Sequence, residues 1–181
     1  MMRKVVISSL LLLLAIGFFS FDFPHEKAPE KETIKWMSFE EAVLLSKKNP
    51  KKMFIDIYTE WCGWCKKMDK MTFTNPEVVA YVNEHFYPVK LDAEQKGEIK
   101  YKGHKLKYVA EEGRRGVHEL AYSLLEGKLG YPSFVYLDEN QDRITISPGY
   151  KDAEVIIKEL KFVGEEHYKR FTYKDYVKNY R

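Results

Sequence analysis

A pair of cysteines separated by two residues directly follows a strongly apolar segment, and this feature restricts the fold more than any other. Met53 to Thr59 has few polar breaks and predicts a buried central strand. Trp61-Cys-Gly-Trp-Cys65 comes next, and a helix is predicted from about Cys62 to Met71. Both cysteines of the chain therefore lie where a buried strand passes into a helix.

The spacing of the two cysteines suits redox chemistry. Two intervening residues at a helix start let the sulfurs reach bonding distance without unwinding the turn. The sulfur of Cys62 would lie at the helix N-terminus, where free N–H groups and the macrodipole stabilise a thiolate, and Lys66 and Lys67 add positive charge. A stabilised thiolate is both a nucleophile and a good leaving group, which thiol–disulfide exchange requires. We predict that Cys62 attacks and that Cys65, one turn later, resolves the mixed disulfide.

Other uses of a cysteine pair fit the sequence less well. A structural zinc site needs four ligands, but there is no second cysteine pair and the five histidines show no ligand spacing. A c-type haem requires histidine where Lys66 stands. An inert disulfide closing so small a loop would add little stability. We therefore expect no metal and no organic cofactor.

The first twenty residues are typical of an export signal. Met1–Lys4 is short and positive, and Val5 to Phe19 is an uncharged run of 15 residues, fewer than the roughly 20 that span a bilayer. We expect residues 1–20 to be a signal peptide, cleaved after Gly17 or Ser20; an uncleaved anchor is the alternative. The protein is then expected in the periplasm, where disulfides form, and to meet the membrane only through an uncleaved leader.

Strand and helix signals alternate through the rest of the chain. Residues 21–32 form a predicted linker, and residues 33–163 a domain with the order β-α-β-α-β, an irregular part, then β-β-α. This order predicts an α/β fold. The predicted elements are a strand at Thr33–Met37, a helix from the capping box Ser38–Glu41 to Lys48, a helix from Asn75-Pro76 with Val78, Val79, Val82 and Phe86 on one face, strands at Tyr87–Leu91, Ser133–Leu137 and Arg143–Ser147, and a helix capped by Asp152.

Two segments lie outside this regular pattern. Residues 95–130 are predicted to be an insertion on the edge of the main sheet, with a hairpin followed by a helix. Residues 164–181 are a basic, aromatic extension, predicted to pack as a helix rather than to bind nucleic acid. The hairpin pairs Ile99 and Tyr101 with Leu106 and Tyr108 around Gly103, the insertion helix follows Arg114-Arg115 and contains Val117, Leu120, Ala121, Leu124 and Leu125, and the extension helix presents Phe171, Tyr173, Tyr176, Val177 and Tyr180.

The segment Phe54 to Lys66 resembles the active-site segment of the thioredoxin superfamily, and Tyr131-Pro132-Ser133 resembles its cis-proline loop. Within the superfamily the chain is most similar to exported bacterial thioredoxin-like proteins with a Cys-Gly-Trp-Cys centre. The segment from Gly113 to Leu120 resembles an insertion found in that subgroup. The resemblance implies a thioredoxin fold, with a central mixed sheet flanked by helices. It also implies a thiol–disulfide oxidoreductase.

The resemblance assigns further roles by position. Asp56 matches the buried acid that shuttles the proton of Cys65, and Lys90 matches the lysine that pairs with it; a hydrogen-bonded strand acid and a solvated lysine are the plain alternatives. Pro132 is expected in the cis form, next to backbone that accepts an extended substrate. The residues expected to contact substrate are Trp61, Gly63, Trp64, Tyr131 and Pro132.

One departure leaves the redox direction open. Trp64 stands where reducing thioredoxins usually have proline, and residues between the cysteines tune the reduction potential. The expected partners are protein thiols or disulfides and a second redox protein, with the chain acting as a monomer. Arg114-Arg115 is expected to be a solvated cap rather than an anion site, and His118 a surface or packing residue.

The net charge of the chain argues against nucleic-acid binding. Lys and Arg number 30 against 27 Asp and Glu, a formal charge of +3, which gives no electrostatic footprint for nucleic acid. A redox-silent binding or chaperone-like module and a metal carrier are the alternative functions.

Overall fold

Two buried strands lie side by side at the centre of a four-stranded mixed sheet in this computed structural model, which describes residues 32–112 and 114–179. The elements are α1 (Phe39–Lys48), β1 (Met53–Tyr58), α2 (Gly63–Met71), α3 (Pro76–His85), β2 (Tyr87–Asp92), β3 (Ile99–Tyr101), β4 (His104–Leu106), β5 (Tyr108–Val109), β6 (Val117–His118), α4 (Glu119–Leu124), β7 (Ser133–Leu137), β8 (Arg143–Pro148), α5 (Ala153–Gly164), a 3-10 turn (His167–Lys169) and α6 (Tyr173–Asn179). The sheet order is β2-β1-β7-β8. β1 runs parallel to β2 and antiparallel to β7, which confirms the predicted α/β fold.

Local capping chemistry starts α1, α3 and α5 where the sequence predicts. Ser38 accepts a hydrogen bond from the Glu41 N–H, and Glu41 reaches back to the Ser38 N–H at 2.8 Å. Asp152 accepts from the Val155 N–H at 2.9 Å, and Asn75 caps α3 ahead of a proline. These side chains satisfy N–H groups that have no partner inside the helix.

The sheet buries apolar side chains on both faces. Because side chains alternate along a strand, Ile55 and Ile57 of β1 join the core under α1, while Phe54 joins the core under α3 and α5. Phe54 stacks on Phe134 of β7 with ring centroids 5.6 Å apart. A strand buried on both faces explains the nearly unbroken apolar run that precedes the cysteine pair.

The predicted strand at Thr33–Met37 is wrong. Only an isolated bridge forms there, between Met37 and Val89. The backbone of the preceding residues bonds to a side chain instead of a strand, since Asn83 accepts from the Lys35 N–H and donates to the Thr33 carbonyl, both at 2.9 Å.

The insertion differs from its prediction in three respects. It packs across one face of the sheet rather than on its edge, because Ile99, Leu120 and Leu124 join the same core as Ile55. Tyr108 leaves the β3–β4 hairpin and pairs, in β5, with His118 of β6. The helix begins after Val117, not before it.

His118 causes this late helix start and is fully buried, so a surface location is wrong and a packing role is right. Its Nδ1 accepts from the Leu120 N–H at 3.1 Å, and its Nε2 lies 2.9 Å from the Gly97 carbonyl. Since Nδ1 is an acceptor, Nε2 carries the proton and donates. The imidazole therefore caps α4 and ties it to the loop that opens the insertion.

The carboxyl-terminal extension packs on the domain, as predicted. Tyr176 is buried, and its ring lies 5.2 Å from that of Phe162 on α5. Phe171, Tyr173 and Val177 pack partly buried against the same core. Phe171 precedes α6 rather than lying on it.

Several predictions fall on residues outside the described part of the chain. These are the leader at 1–20, the linker through residue 31, Gly113 at the start of the segment that resembles a thioredoxin-like insertion, and Tyr180. Within residues 32–112 and 114–179, no helix is long and apolar enough to cross a membrane.

Replacing His118 tests the role of the imidazole as a cap. His118→Ala should lower the free energy of unfolding by about 2–4 kcal/mol, because it leaves the Leu120 N–H and the Gly97 carbonyl unpaired and opens a cavity. His104→Ala, at an exposed position of β4, should stay within about 0.5 kcal/mol of wild type. Urea unfolding measures both; equal effects of the two substitutions would contradict the cap.

Candidate redox site

Three strand ends meet at one edge of the sheet. Since β1 is parallel to β2 and antiparallel to β7, the carboxyl ends of β1 and β2 lie beside the amino end of β7. In the pairing, Ile57 lies opposite Ser133 and Tyr58 opposite Asp92. The cysteine pair, the loop before β7 and the loop after β2 are thereby brought together.

The two cysteines form a disulfide at the start of α2. Their sulfurs are 2.08 Å apart and their Cα atoms 5.3 Å apart. Cys62 is the N-cap residue, and its Sγ accepts a hydrogen bond from the Cys65 N–H at 3.0 Å. A helix N-terminus that directs an N–H at this sulfur favours negative charge on it. Both residues are largely buried.

Asp56 is a buried carboxylate in the middle of β1, as predicted. Its Oδ2 lies 2.6 Å from Nζ of Lys90, which stands directly opposite it on β2 and confirms the predicted pair. Lys90 also contacts Asp69 on α2. One ammonium group therefore joins a buried carboxylate to a partly exposed one.

Aromatic rings surround the lysine. Nζ of Lys90 lies 5.0 Å from the centre of the Tyr58 ring and 5.1 Å from that of Trp36, within the range of cation–π attraction. Burial alone would lower the pKa of Lys90, but the charges of Asp56 and Asp69 outweigh it and raise the pKa. Lys90 therefore stays charged.

The environment of Asp56 favours its protonated form. Burial raises the pKa of Asp56 to about 6, and the attraction of Lys90 opposes a larger rise. The second oxygen, Oδ1, has no hydrogen-bond partner among the described residues. A carboxyl group poised near neutral pH is suited to accept and return a proton.

A small cavity connects the inner cysteine with this charged group. It has a volume of ≈ 230 Å³ and is lined by Cys65, Asp69 and Lys90, together with Thr59. The hydroxyl oxygen of Thr59 is buried without a hydrogen-bond partner in the described part of the chain. Polar groups thus line the space between Cys65 and the Asp56–Lys90 pair.

Trp61 forms one side of the site and is held by three contacts. Its Nε1 donates to Glu94 at 2.9 Å, its ring lies edge-on to Tyr131 with centroids 5.9 Å apart, and the Arg115 guanidinium lies 5.6 Å from its centre. The indole remains 53% exposed. It can therefore contact a bound partner without first changing its position.

Trp64 is also exposed, and it follows Gly63, the exposed first residue of α2. The Trp64 ring packs on Tyr150 with centroids 5.2 Å apart, and Nζ of Lys67 lies 4.9 Å from the centre of each ring. Lys67, which the sequence places close to the cysteines, therefore packs against Trp64.

The peptide bond between Tyr131 and Pro132 is cis, as predicted. Gly149 donates its N–H to the Pro132 carbonyl at 2.8 Å, and Ser133 donates its hydroxyl to the Gly130 carbonyl at 2.6 Å. Within the described residues, the backbone N–H and C=O of Tyr131 have no hydrogen-bond partner. This backbone is available to an extended ligand.

Sequence reasoning missed Asp69, Glu94 and Tyr150. Asp69 stands four residues after Cys65, one helical turn along α2, so the helix periodicity carries a signal for it. Glu94 and Tyr150 come together with the tryptophans only through the arrangement of the sheet. Among the described residues, no group of three or more His, Cys, Asp or Glu is arranged to hold a metal ion.

Fold and site together define a thioredoxin-fold protein with a redox-type cysteine pair. The chain belongs to the family Thioredox_DsbH, described as a protein of unknown function (DUF255), whose profile matches residues 22–152. This places it with the predicted superfamily.

Two solved structures share the fold of this chain, and a curated relative matches part of it. A candidate disulphide-isomerase from Bacteroides thetaiotaomicron is 26% identical, with a TM-score of 0.53 over 76% of this chain and 97% of that one. A structure called DsbH oxidoreductase has the same fold, at 18% identity and a TM-score of 0.53 over 81% and 95% of the two chains. An uncharacterized protein of Archaeoglobus fulgidus is 33% identical over 58 residues, 32% of this chain and 46% of its own length.

The chain thus spans about half the length of that curated relative, and it matches about a tenth of two longer ones. Taken with the Cys62–Cys65 disulfide, the family and the shared fold support a thiol–disulfide oxidoreductase in general terms.

Replacing Asp56 tests its raised pKa through stability. Because the pKa is about 6 in the folded protein against an ordinary 3.8, the folded state binds the proton more tightly than the unfolded state does. Wild type therefore loses stability as the pH rises from about 4 to above 6, by roughly 2–3 kcal/mol, whereas asparagine does not titrate.

The free-energy difference between Asp56→Asn and wild type, both oxidised, should accordingly shift in favour of the variant over this pH range. Urea unfolding at several pH values measures it. Lys90→Gln removes the charge that lowers the pKa of Asp56. The stability of this variant should therefore continue to fall up to a higher pH than that of wild type. A difference that stays constant from pH 4 to 8 would contradict the titration.

Proposed function

We propose that the protein exchanges thiols and disulfides with polypeptide substrates outside the cytoplasm. The observation that carries this proposal is the Cys62–Cys65 disulfide at the start of α2, beside the loop with the cis-proline. In this disulfide the Cys62 sulfur accepts a hydrogen bond from the Cys65 N–H. The exported location rests on the charge-free run that follows Arg3-Lys4 in the sequence.

In the reducing direction, the Cys62 thiolate attacks one sulfur of a substrate disulfide. A bond forms between these two sulfurs, and the other substrate sulfur leaves as a thiolate. The Cys65 thiolate then attacks Sγ of Cys62, which restores the Cys62–Cys65 disulfide and releases the second substrate thiolate. Two electrons pass to the substrate, and the reverse sequence oxidises a substrate dithiol.

Asp56 is proposed to handle the proton of Cys65. The inner thiol must lose a proton before it attacks, and its cavity also contains Lys90, which binds Asp56. A carboxyl with a pKa of about 6 accepts the proton near neutral pH. Asp69 and Lys90 are proposed to position this carboxyl rather than to meet the substrate.

Substrate is proposed to dock as an added strand along the loop before β7. The unpaired backbone of Tyr131 offers one donor and one acceptor, which is the requirement for strand addition. The exposed surfaces of Trp61, Gly63 and Trp64 and the Tyr131-Pro132 loop would then surround the substrate sulfur. A second redox protein, reacting through the same cysteines, would restore the starting state.

The reduction potential decides the direction of electron flow. Equilibration with glutathione should show one reversible two-electron couple. A value of about −270 mV would mark a reductant, and one of about −120 to −180 mV an oxidant or isomerase. A pair that neither reduces nor reoxidises would overturn the proposal and favour a redox-silent binding module.

Serine substitutions separate the two cysteine roles. Cys62→Ser should reduce exchange with a peptide disulfide to the uncatalysed background, because the attacking thiolate at the helix N-terminus is lost and the remaining Cys65 thiol is buried within α2. Cys65→Ser should still attack and should accumulate mixed disulfides, since the resolving thiol is missing. Non-reducing gels with mass spectrometry measure the trapped species. Full exchange by Cys62→Ser, or no trapping by Cys65→Ser, would show that the roles are assigned wrongly.

A further inference from the structure

A groove of ≈ 750 Å³ opens beside the redox site, on the side of Trp61. We call it the rim groove; it is lined by Trp61, Glu94, Arg114, Arg115, Gly130 and Tyr131. Its size falls within the roughly 300–1,000 Å³ typical of ligand pockets. Because Gly130 and Tyr131 line it, a polypeptide docked at the cis-proline loop would extend into it.

The two arginines are available to a ligand. Both are exposed, and neither forms a salt bridge with a carboxylate in residues 32–112 or 114–179. The Arg115 guanidinium lies over the face of Trp61, 5.6 Å from the ring centre. A guanidinium stacked in this way keeps the N–H groups along its edge free. Two of these N–H groups can donate hydrogen bonds to the two oxygens of a carboxylate.

The loop that carries the arginines is held in place. Gly116 has a φ of +79°, and a Cβ there would lie 2.0 Å from the hydroxyl oxygen of Tyr108, so only glycine fits. Tyr108 also donates a hydrogen bond to the Arg115 carbonyl. The arginines therefore approach the rim groove from a fixed backbone.

The charge of the rim groove is positive. Among its described lining residues, Glu94 is the one carboxylate, and one of its oxygens already accepts the Trp61 N–H at 2.9 Å. Two arginines thus outnumber a carboxylate that is engaged with the protein itself. This balance favours anionic ligands and disfavours cationic ones.

We propose that Arg114 and Arg115 select polypeptide substrates with acidic residues next to the reacting cysteine. This inference rests on the proposed function and names the substrate class of the same site. The sequence analysis expected this pair to be a solvated cap; both arginines are exposed, but the residue that caps α4 is His118.

The test compares three peptide disulfides. Each peptide has a single cysteine, which is flanked on both sides by two Glu, by two Gln or by two Lys. The protein is reduced beforehand, freed of reductant and used in excess, so each molecule transfers its own two electrons. The ratio of the Glu-peptide rate to the Lys-peptide rate should be about fivefold lower in the double variant Arg114→Gln/Arg115→Gln than in wild type. Intrinsic effects of the flanking charges on the peptide disulfide cancel in this comparison.

Arg170→Gln is the matched control. This arginine is also exposed and also lies over an aromatic ring, 5.7 Å from the centre of Phe171, but it is outside the rim groove. Its ratio should equal that of wild type. Arg115→Glu should lower the ratio further than Arg115→Gln, and 0.5 M salt should reduce the wild-type preference because exposed charges are screened.

The outcomes separate the two proposals. If wild type exchanges none of the peptides, the proposed function fails. If it exchanges them but the arginine substitutions leave the ratio unchanged, the acidic selection fails and the proposed function stands. Glutathione disulfide is a further arm; an arginine effect on it alone would assign the carboxylate to a small thiol and overturn the polypeptide assignment.

Discussion

The structure depends on β1, which pairs with a parallel neighbour, β2, and an antiparallel neighbour, β7, at the site. Its parallel pairing with β2 and antiparallel pairing with β7 place three chain segments at one edge of the sheet. The first segment carries the cysteines, the second Glu94 and the third the cis-proline loop. Because both faces of β1 are buried, a one-residue slip would exchange its two apolar faces.

The same strand contains a costly feature of the core, the buried carboxylate of Asp56. Burying a charge is unfavourable unless it is paired, and Lys90 provides the pair from the facing position on β2. The raised pKa of Asp56 shows that the pairing compensates only in part. Such an arrangement weakens the fold near neutral pH and leaves a titratable carboxyl group paired with Lys90, which lines the cavity next to Cys65.

The insertion supports the site in two ways. His118 and the apolar residues of α4 complete one face of the core, so the segment belongs to the fold rather than decorating it. Its loop at Arg114-Arg115 then borders Trp61 and forms one wall of the rim groove. Structural support and the proposed substrate selection therefore come from a single stretch of chain.

The sequence by itself determined the features that depend on neighbours along the chain. The caps at Ser38 and Asp152, the apolar run of β1 and the helix start at Cys62 are local, so their residue types suffice to predict them. The resemblance to thioredoxins added the Asp56–Lys90 pair and the cis form of Pro132, both of which the structure contains.

Only the tertiary structure decided the features that depend on contacts between distant segments. Asn83 replaced the expected strand before α1 with side-chain hydrogen bonds, and His118 moved the start of α4. The contacts of Trp61 with Glu94 and Arg115 arise because strand ends far apart in the sequence meet at one edge. Hydrophobic periodicity and capping describe single elements, whereas these contacts depend on how the elements pack together.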